Sequence, residues 1–196
     1  MEPKRIVEGL FFTSHEPLSL ERIHAVLDGV DRAALRAVIQ ELSREYQEQD
    51  RAFRLVEVAG GYQLRTLPEL APWVRKLRRQ VSPRLSQASM ETLAVIAYRQ
   101  PVTRAEVEYI RGVDCGAVVR GLMEKGLLKI LGRKDAPGRP LLYGTSRRFL
   151  ELFGLKDLSS LPALVEVEEL GGGQSPVQVD GKASRLVDEQ EETPEQ

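Results

Sequence analysis

The sequence predicts a mainly α-helical α+β protein with small β-hairpins: two tandem winged-helix domains followed by a disordered tail. Three observations carry this. Two degenerate copies of one plan recur at an offset of 83 or 84 residues. Each copy reads as three helices followed by a pair of strands, the plan of a winged helix. The segment ELGGGQSPVQVDGKASRLVDEQEETPEQ (169–196) has no aromatic and is rich in Gly, Glu, Gln and Pro. Such a segment buries too little apolar surface to offset its ordering entropy. The expected division is 1–80 for the first domain, 81–86 (VSPRLS, with Pro83) for a linker, 87–162 for the second domain and 163–196 for the tail.

The first copy, VEGLFFTSHEPLSLERIHAVLDGVDRAALRAVIQEL (7–42), opens on a helix with Ile6, Val7, Leu10 and Phe11 as apolar positions. Its second helix carries the stripe Leu20, Ile23, His24 and Leu27, and Asp31 caps the third. FRLVEVAGGYQLRT (53–66) then reads as two strands around Gly60-Gly61. PELAPWVRKLRRQ (68–80) is a further helix with Leu70, Trp73, Val74 and Leu77 on one face.

The second copy, METLAVIAYRQPVTRAEVEYIRGVDCGAVVRGLMEKG (90–126), aligns Pro101 with Pro17, Thr103 with Ser19, Val107 with Ile23, Asp114 with Asp31, Val118 with Leu35 and Leu122 with Ile39. Its first helix follows an N-cap at Ser86, places Leu93, Ile96 and Ala97 inward and ends at Gln100-Pro101. Thr103-Arg-Ala-Glu106 is a capping box, and Val107, Tyr109 and Ile110 continue that helix to Gly112. Asp114 is expected to cap the third helix, whose apolar face reads Ala117, Val118, Leu122 and Met123 before a C-cap glycine at Gly126. LLKIL (127–131) and PLLYGT (140–145) are the strand pair.

Composition narrows the chemistry. The chain has 196 residues, 28 Lys/Arg against 29 Asp/Glu, and a net charge of −1. The charge is uneven: residues 163–196 hold nine acidic groups against Lys182 and Arg185, leaving a mildly basic body. One cysteine, Cys115, supports neither a disulfide framework nor a cysteine-based zinc site. The N-terminus does not read as a signal peptide, and no run approaches the roughly 18 apolar residues of a membrane span. A reduced, soluble, cytoplasmic protein is the expectation, with no membrane contact.

GRKDAPGRPLLYGTS (132–146) invites a phosphate-loop reading, which its residues refuse. Gly132 to Gly138 is the wrong spacing, Arg139-Pro140 replaces Lys-Ser/Thr, and a strand follows instead of a helix. It reads instead as the wing of the second domain. Arg133, Lys134, Arg139, Arg147 and Arg148 make that region basic, with two readings left open: a solvated face, or contact with a partner or with DNA phosphates. Arg75, Lys76, Arg78, Arg79 and Arg84 form a second cluster. The third helices, 31–51 and 114–126, mix acidic and basic residues and lack the surface of a major-groove reader.

Catalytic constellations are missing. His24 reads as a half-buried structural histidine, His15 lies in a turn, and Cys115 has no neighbouring histidine in sequence. Trp73, Phe149 and Phe153 read as anchors in a core or an interface. No cofactor and no metal are expected.

ETLAVIAYRQPVTRAEVE (91–108) and GRKDAPGRPLLYGT (132–145), with the looser EGLFFTSHEPLSLE (8–21) and AGGYQLRT (59–66), resemble the ScpB family, the bacterial segregation and condensation proteins B. The likeness covers 1–162 and is strongest from Leu85 to Pro162. It implies a non-enzymatic, nucleoid-associated subunit of the condensin-like SMC complex. It further implies a homodimer formed through the N-terminal domain that binds the kleisin subunit ScpA, and through it the SMC ATPase. The apolar residues Ile6, Leu10, Phe11, Trp73 and Leu77 are the candidates for the dimer interface. The reading of a different class is a DNA-binding winged-helix transcriptional regulator.

Overall fold

Two helix-capped modules of the same design make up the structure, a computed structural model that describes residues 2–27, 29–78 and 85–162. The tail at 163–196, linker positions 81–84, and Arg79 and Arg84 lie outside the described residues. The chain up to Leu161 packs as one compact unit around two separate apolar cores.

The first module runs α1 (Pro3–Thr13), α2 (Leu20–Val26), α3 (Arg32–Glu48), β1 (Phe53–Val58) and β2 (Gly61–Thr66), then a 3-10 turn (Pro68–Leu70) and α4 (Ala71–Arg78). Its helices start where the sequence supplies an oxygen for the free N–H groups. Ser19 Oγ accepts from the Arg22 amide and Asp31 Oδ1 accepts from the Ala34 amide at 2.7 Å. Val7, Phe11, Ile23, Leu35, Ile39 and Leu42 fill the core between them. Each such side chain contributes about 1.5–3 kcal/mol by leaving water. The β1–β2 hairpin turns through Ala59 (φ 50°) and Gly60 (φ 68°), the two left-handed residues that suit a two-residue turn.

The second module repeats the order with α5 (Gln87–Arg99), β3 (Val102–Thr103), α6 (Arg104–Arg111), α7 (Gly116–Glu124), β4 (Leu128–Arg133), β5 (Leu141–Thr145) and α8 (Arg147–Phe153). Leu93, Ile96, Val107, Cys115, Val119, Leu122 and Phe149 form its core. Ser86 caps α5, and the capping box is complete: Thr103 Oγ1 accepts from the Glu106 amide while Glu106 Oε2 accepts from the Thr103 amide at 2.8 Å. Gln100 closes the module. Its Oε1 accepts from the Thr145 amide at 2.8 Å and its Nε2 donates to the Ala97 carbonyl at 2.9 Å, tying β5 to the end of α5.

Several sequence expectations shift. The second module has a three-stranded antiparallel sheet in the order β3-β5-β4, not a two-stranded hairpin. In the first module a single bridge, Leu18 to Tyr62, holds the place that Val102 to Tyr143 holds in the second. Asp114 does not cap α7; Cys115 is its N-cap residue, and Asp114 Oδ1 accepts from the Gly116 amide at 3.2 Å. The inward face of α7 is Val119 and Leu122, with Ala117 exposed, so Val119 rather than Val118 matches the burial of Leu35. Tyr109 and Ile110 project from α6 into solvent, leaving Val107 as its buried residue.

Gly61 is required by close approach. A Cβ there would lie 2.7 Å from the carbonyl carbon of Leu18, whereas at Gly121 in α7 it would meet nothing within 4 Å. Gly61→Ala should therefore lower stability by about 1–3 kcal/mol through overpacking. Gly121→Ala should raise it by about 0.5–1 kcal/mol through helix propensity. Urea midpoints at unchanged slope check both, and equal shifts in one direction would contradict the close approach.

Candidate partner-binding surface

The wing is the loop between β4 and β5, and its backbone is self-supporting. The Lys134 amide donates to the Pro140 carbonyl and the Arg139 amide to the Ala136 carbonyl, each at 2.8 Å. A bulge between Ile130 and Gly132 shifts the register of β4 against β5 just before the loop.

Its basic residues are largely committed within the chain. Arg133 Nη1 donates to the Arg139 carbonyl at 3.1 Å. Lys134 Nζ pairs with Glu106 Oε1, so the wing is tied to the capping box of α6. That ammonium, together with the Thr103 amide and hydroxyl, holds the Glu106 carboxyl down at about 2, below its ordinary 4.5. Arg147 and Arg148 do not belong to the wing at all: they open α8, after β5. Arg147 Nη2 donates to the Pro17 carbonyl of the first module at 2.8 Å. The structure thus separates the five residues that the sequence groups together.

Apolar surface is distributed differently from expectation. Phe11 is 2% exposed and belongs to the first core, so it is not available to a partner; its neighbour Phe12 is 82% exposed. Ile6 and Leu10 pack partly against that core. On α4 the expected face is bare: Trp73 is 65% and Leu77 is 84% exposed, one helical turn apart. A groove of about 270 Å³ lies along Leu10, Thr13, Ser14, Leu18, Ile23 and Val26, with Arg22 at its side. The second module exposes Tyr109, Ile110 and Val113 near the end of α6.

Among the described residues, no group of three His, Cys, Asp or Glu side chains is placed to hold a metal ion, and no helix is long and apolar enough to cross a membrane. His15 is exposed and His24 half-buried. Burial pushes the Cys115 thiol above its ordinary pKa, with Glu108 and Asp114 adding to the effect. It is a core side chain, held from solvent and kept protonated. Phe149 is buried and Phe153 packs on it with ring centroids 4.9 Å apart.

Residues 5–164 match the family described as segregation and condensation complex subunit ScpB. The chain belongs to the ScpB family. Segregation and condensation protein B of Syntrophotalea carbinolica is 54% identical over 170 residues, spanning 87% of this chain and 86% of that one. The protein of the same name from Moorella thermoacetica is 48% identical over 161 residues, covering 82% of each chain. A solved dimer of an ScpB N-terminal domain complexed with ScpA peptide is 43% identical, covers 38% of this chain and 91% of that one, and has a TM-score of 0.35. Family membership thus rests on sequence shared along both modules.

A pH prediction follows from Glu106. A carboxyl whose pKa is lowered on folding contributes stability that is present above its unfolded value near 4.5 and is lost as pH falls through about 2. Glu106→Gln should therefore flatten the fall in stability between those values while keeping the helix-cap shape. Because the pair is solvent-exposed, raised salt should shrink the difference. Thermal melts of the two proteins across that range check it.

Proposed function

We propose that this protein is a non-enzymatic subunit of a bacterial condensin-like SMC complex, a cytoplasmic, nucleoid-associated homodimer that binds the kleisin ScpA. Through the kleisin it reaches the SMC ATPase and regulates chromosome condensation and segregation. The observation that carries the reading is the family match over residues 5–164, which takes in both winged-helix modules. In this reading residues 1–80 dimerise, 81–86 link, and 87–162 bind the kleisin.

The surface of the first module supports the dimerisation part of this reading. Phe12, Trp73 and Leu77 leave a large apolar area uncovered on the first module, the composition expected at the centre of an interface. They replace Phe11 as the residues to test, beside Ile6 and Leu10. A transcriptional regulator is not favoured. Lys134 is paired with Glu106, and Arg133 and Arg147 are oriented by backbone carbonyls toward the fold, so fewer of the five cations are free to turn to a phosphate. Arg139 and Arg148 are the remaining candidates there for partner or nonspecific DNA contact.

The purified chain should scatter light as a dimer at micromolar concentration and co-elute with ScpA. Trp73→Glu with Leu77→Glu should weaken the dimer by about thirtyfold or more, as expected for loss of a central apolar anchor, without loss of helical signal. A monomeric wild type would remove the dimer reading. Two folded proteins that fail to co-elute would remove the kleisin reading.

A further inference from the structure

The two cores are separate clusters, and a set of polar contacts joins the modules at the tip of the first hairpin, where Val58 and Ala59 are buried outside either core. The Ala59 amide donates to the Leu155 carbonyl at 2.8 Å, and the Gly60 amide donates to the Lys156 carbonyl at 2.9 Å. Lys156 Nζ pairs with Glu57 Oε1 at 3.2 Å. Arg65 Nη2 donates to the Glu151 carbonyl at 2.9 Å, in the last turn of α8 where carbonyls lack helical partners. Arg147 Nη2 completes the set on the Pro17 carbonyl.

We infer that these contacts form a latch, holding the first hairpin on the segment after α8 in a closed state that opens without unfolding either module. The chemistry favours a latch over a fixed joint. Each module keeps its own core, so opening leaves both cores covered; Val58 and Ala59, buried at the hairpin tip outside either core, are the apolar side chains at the junction. The cross-links are backbone N–H groups at a turn and charged side chains that water solvates well, and domain interfaces of that kind move by default. Glu57 and Lys156 are both partly exposed, so their attraction is modest and sensitive to charge reversal. While closed, the latch occupies both turn donors of the first hairpin, withholding them from any strand or phosphate. This inference stands independently of the identity of the partner.

Amide hydrogen exchange reads the latch directly, because the Ala59 and Gly60 N–H groups are bonded only across it. In the wild type these two amides should exchange more slowly than open-turn amides. Lys156→Glu should speed them by about two- to tenfold while leaving α3 and α7 protection unchanged. The reversed pair Glu57→Lys with Lys156→Glu should restore slow exchange. A Glu57→Cys and Lys156→Cys double variant, treated with a short bis-maleimide, should cross-link within one chain; buried Cys115 stays unreactive. Open-turn exchange at both amides in the wild type would overturn the inference. So would cross-links found only between chains, or loss of α3 and α7 protection together with the latch amides.

Discussion

Each module depends on one stitch: the residue just before the second helix pairs with the second strand of the hairpin. In the first module Leu18 exchanges two backbone hydrogen bonds with Tyr62, at 2.9 and 2.8 Å. In the second Val102 pairs with Tyr143. The stitch adds a directional link to the apolar packing of Leu55 and Phe53 on the helices, and it matters because a two-stranded hairpin alone is marginal in water. In the first module the stitch also crowds the backbone, and the glycine beside Tyr62 relieves it: a Cβ at Gly61 would strike the Leu18 carbonyl. The glycine beside Tyr143 answers a different neighbour, since a Cβ at Gly144 would lie 2.6 Å from Leu131 Cδ1 and 2.7 Å from Gln100 Oε1, both side chains.

From the stitch the helix starts follow. Ser19 and Thr103 sit immediately after the paired residues, so the strand direction delivers each hydroxyl to the free amides of the next helix. In the second module the arrangement extends further. Glu106 completes the capping box with one oxygen and holds Lys134 of the wing with the other. The loop that looks most like a nucleic-acid contact in sequence is therefore neutralised in part by the helix it leans on. A charge already paired within the chain releases fewer counterions on meeting phosphate, so it contributes less to nonspecific binding.

How much of this was legible in the sequence depends on the length scale of each signal. The duplicated plan was, because caps and apolar repeats over some forty residues reinforce one another. The third strand was not: Val102-Thr103 is two residues long, too short for any alternation to register. Phe11 and Phe12 are adjacent, and only the helix phase set by Val7 decides which turns inward. The same one-residue ambiguity set Val118 opposite Leu35, where the burial of Val119 fits better. Arg147 and Arg148 lie next to the wing in sequence, but Ser146 caps a new helix and carries them away from it. The contacts between modules left no local signal at all, because Pro17 and Arg147 are 130 residues apart.

The two copies differ most in the helix after the hairpin, and that difference separates their roles. In the second module α8 turns Phe149 into the core and lays Phe153 on it, leaving part of Phe153 and Leu152 in water. In the first module α4 occupies the corresponding place in the chain but leaves Trp73 and Leu77 outside. An exposed tryptophan with a leucine one turn away is costly to keep in water and carries the area that a protein contact needs. Duplication thus yields two modules with the same stitch and different exposed apolar faces: Trp73 and Leu77 on α4 in the first, Tyr109, Ile110 and Val113 at the end of α6 in the second. Two faces of different make-up on one repeated design are a physical basis for two different contacts, because each face presents its own side chains to whatever covers it.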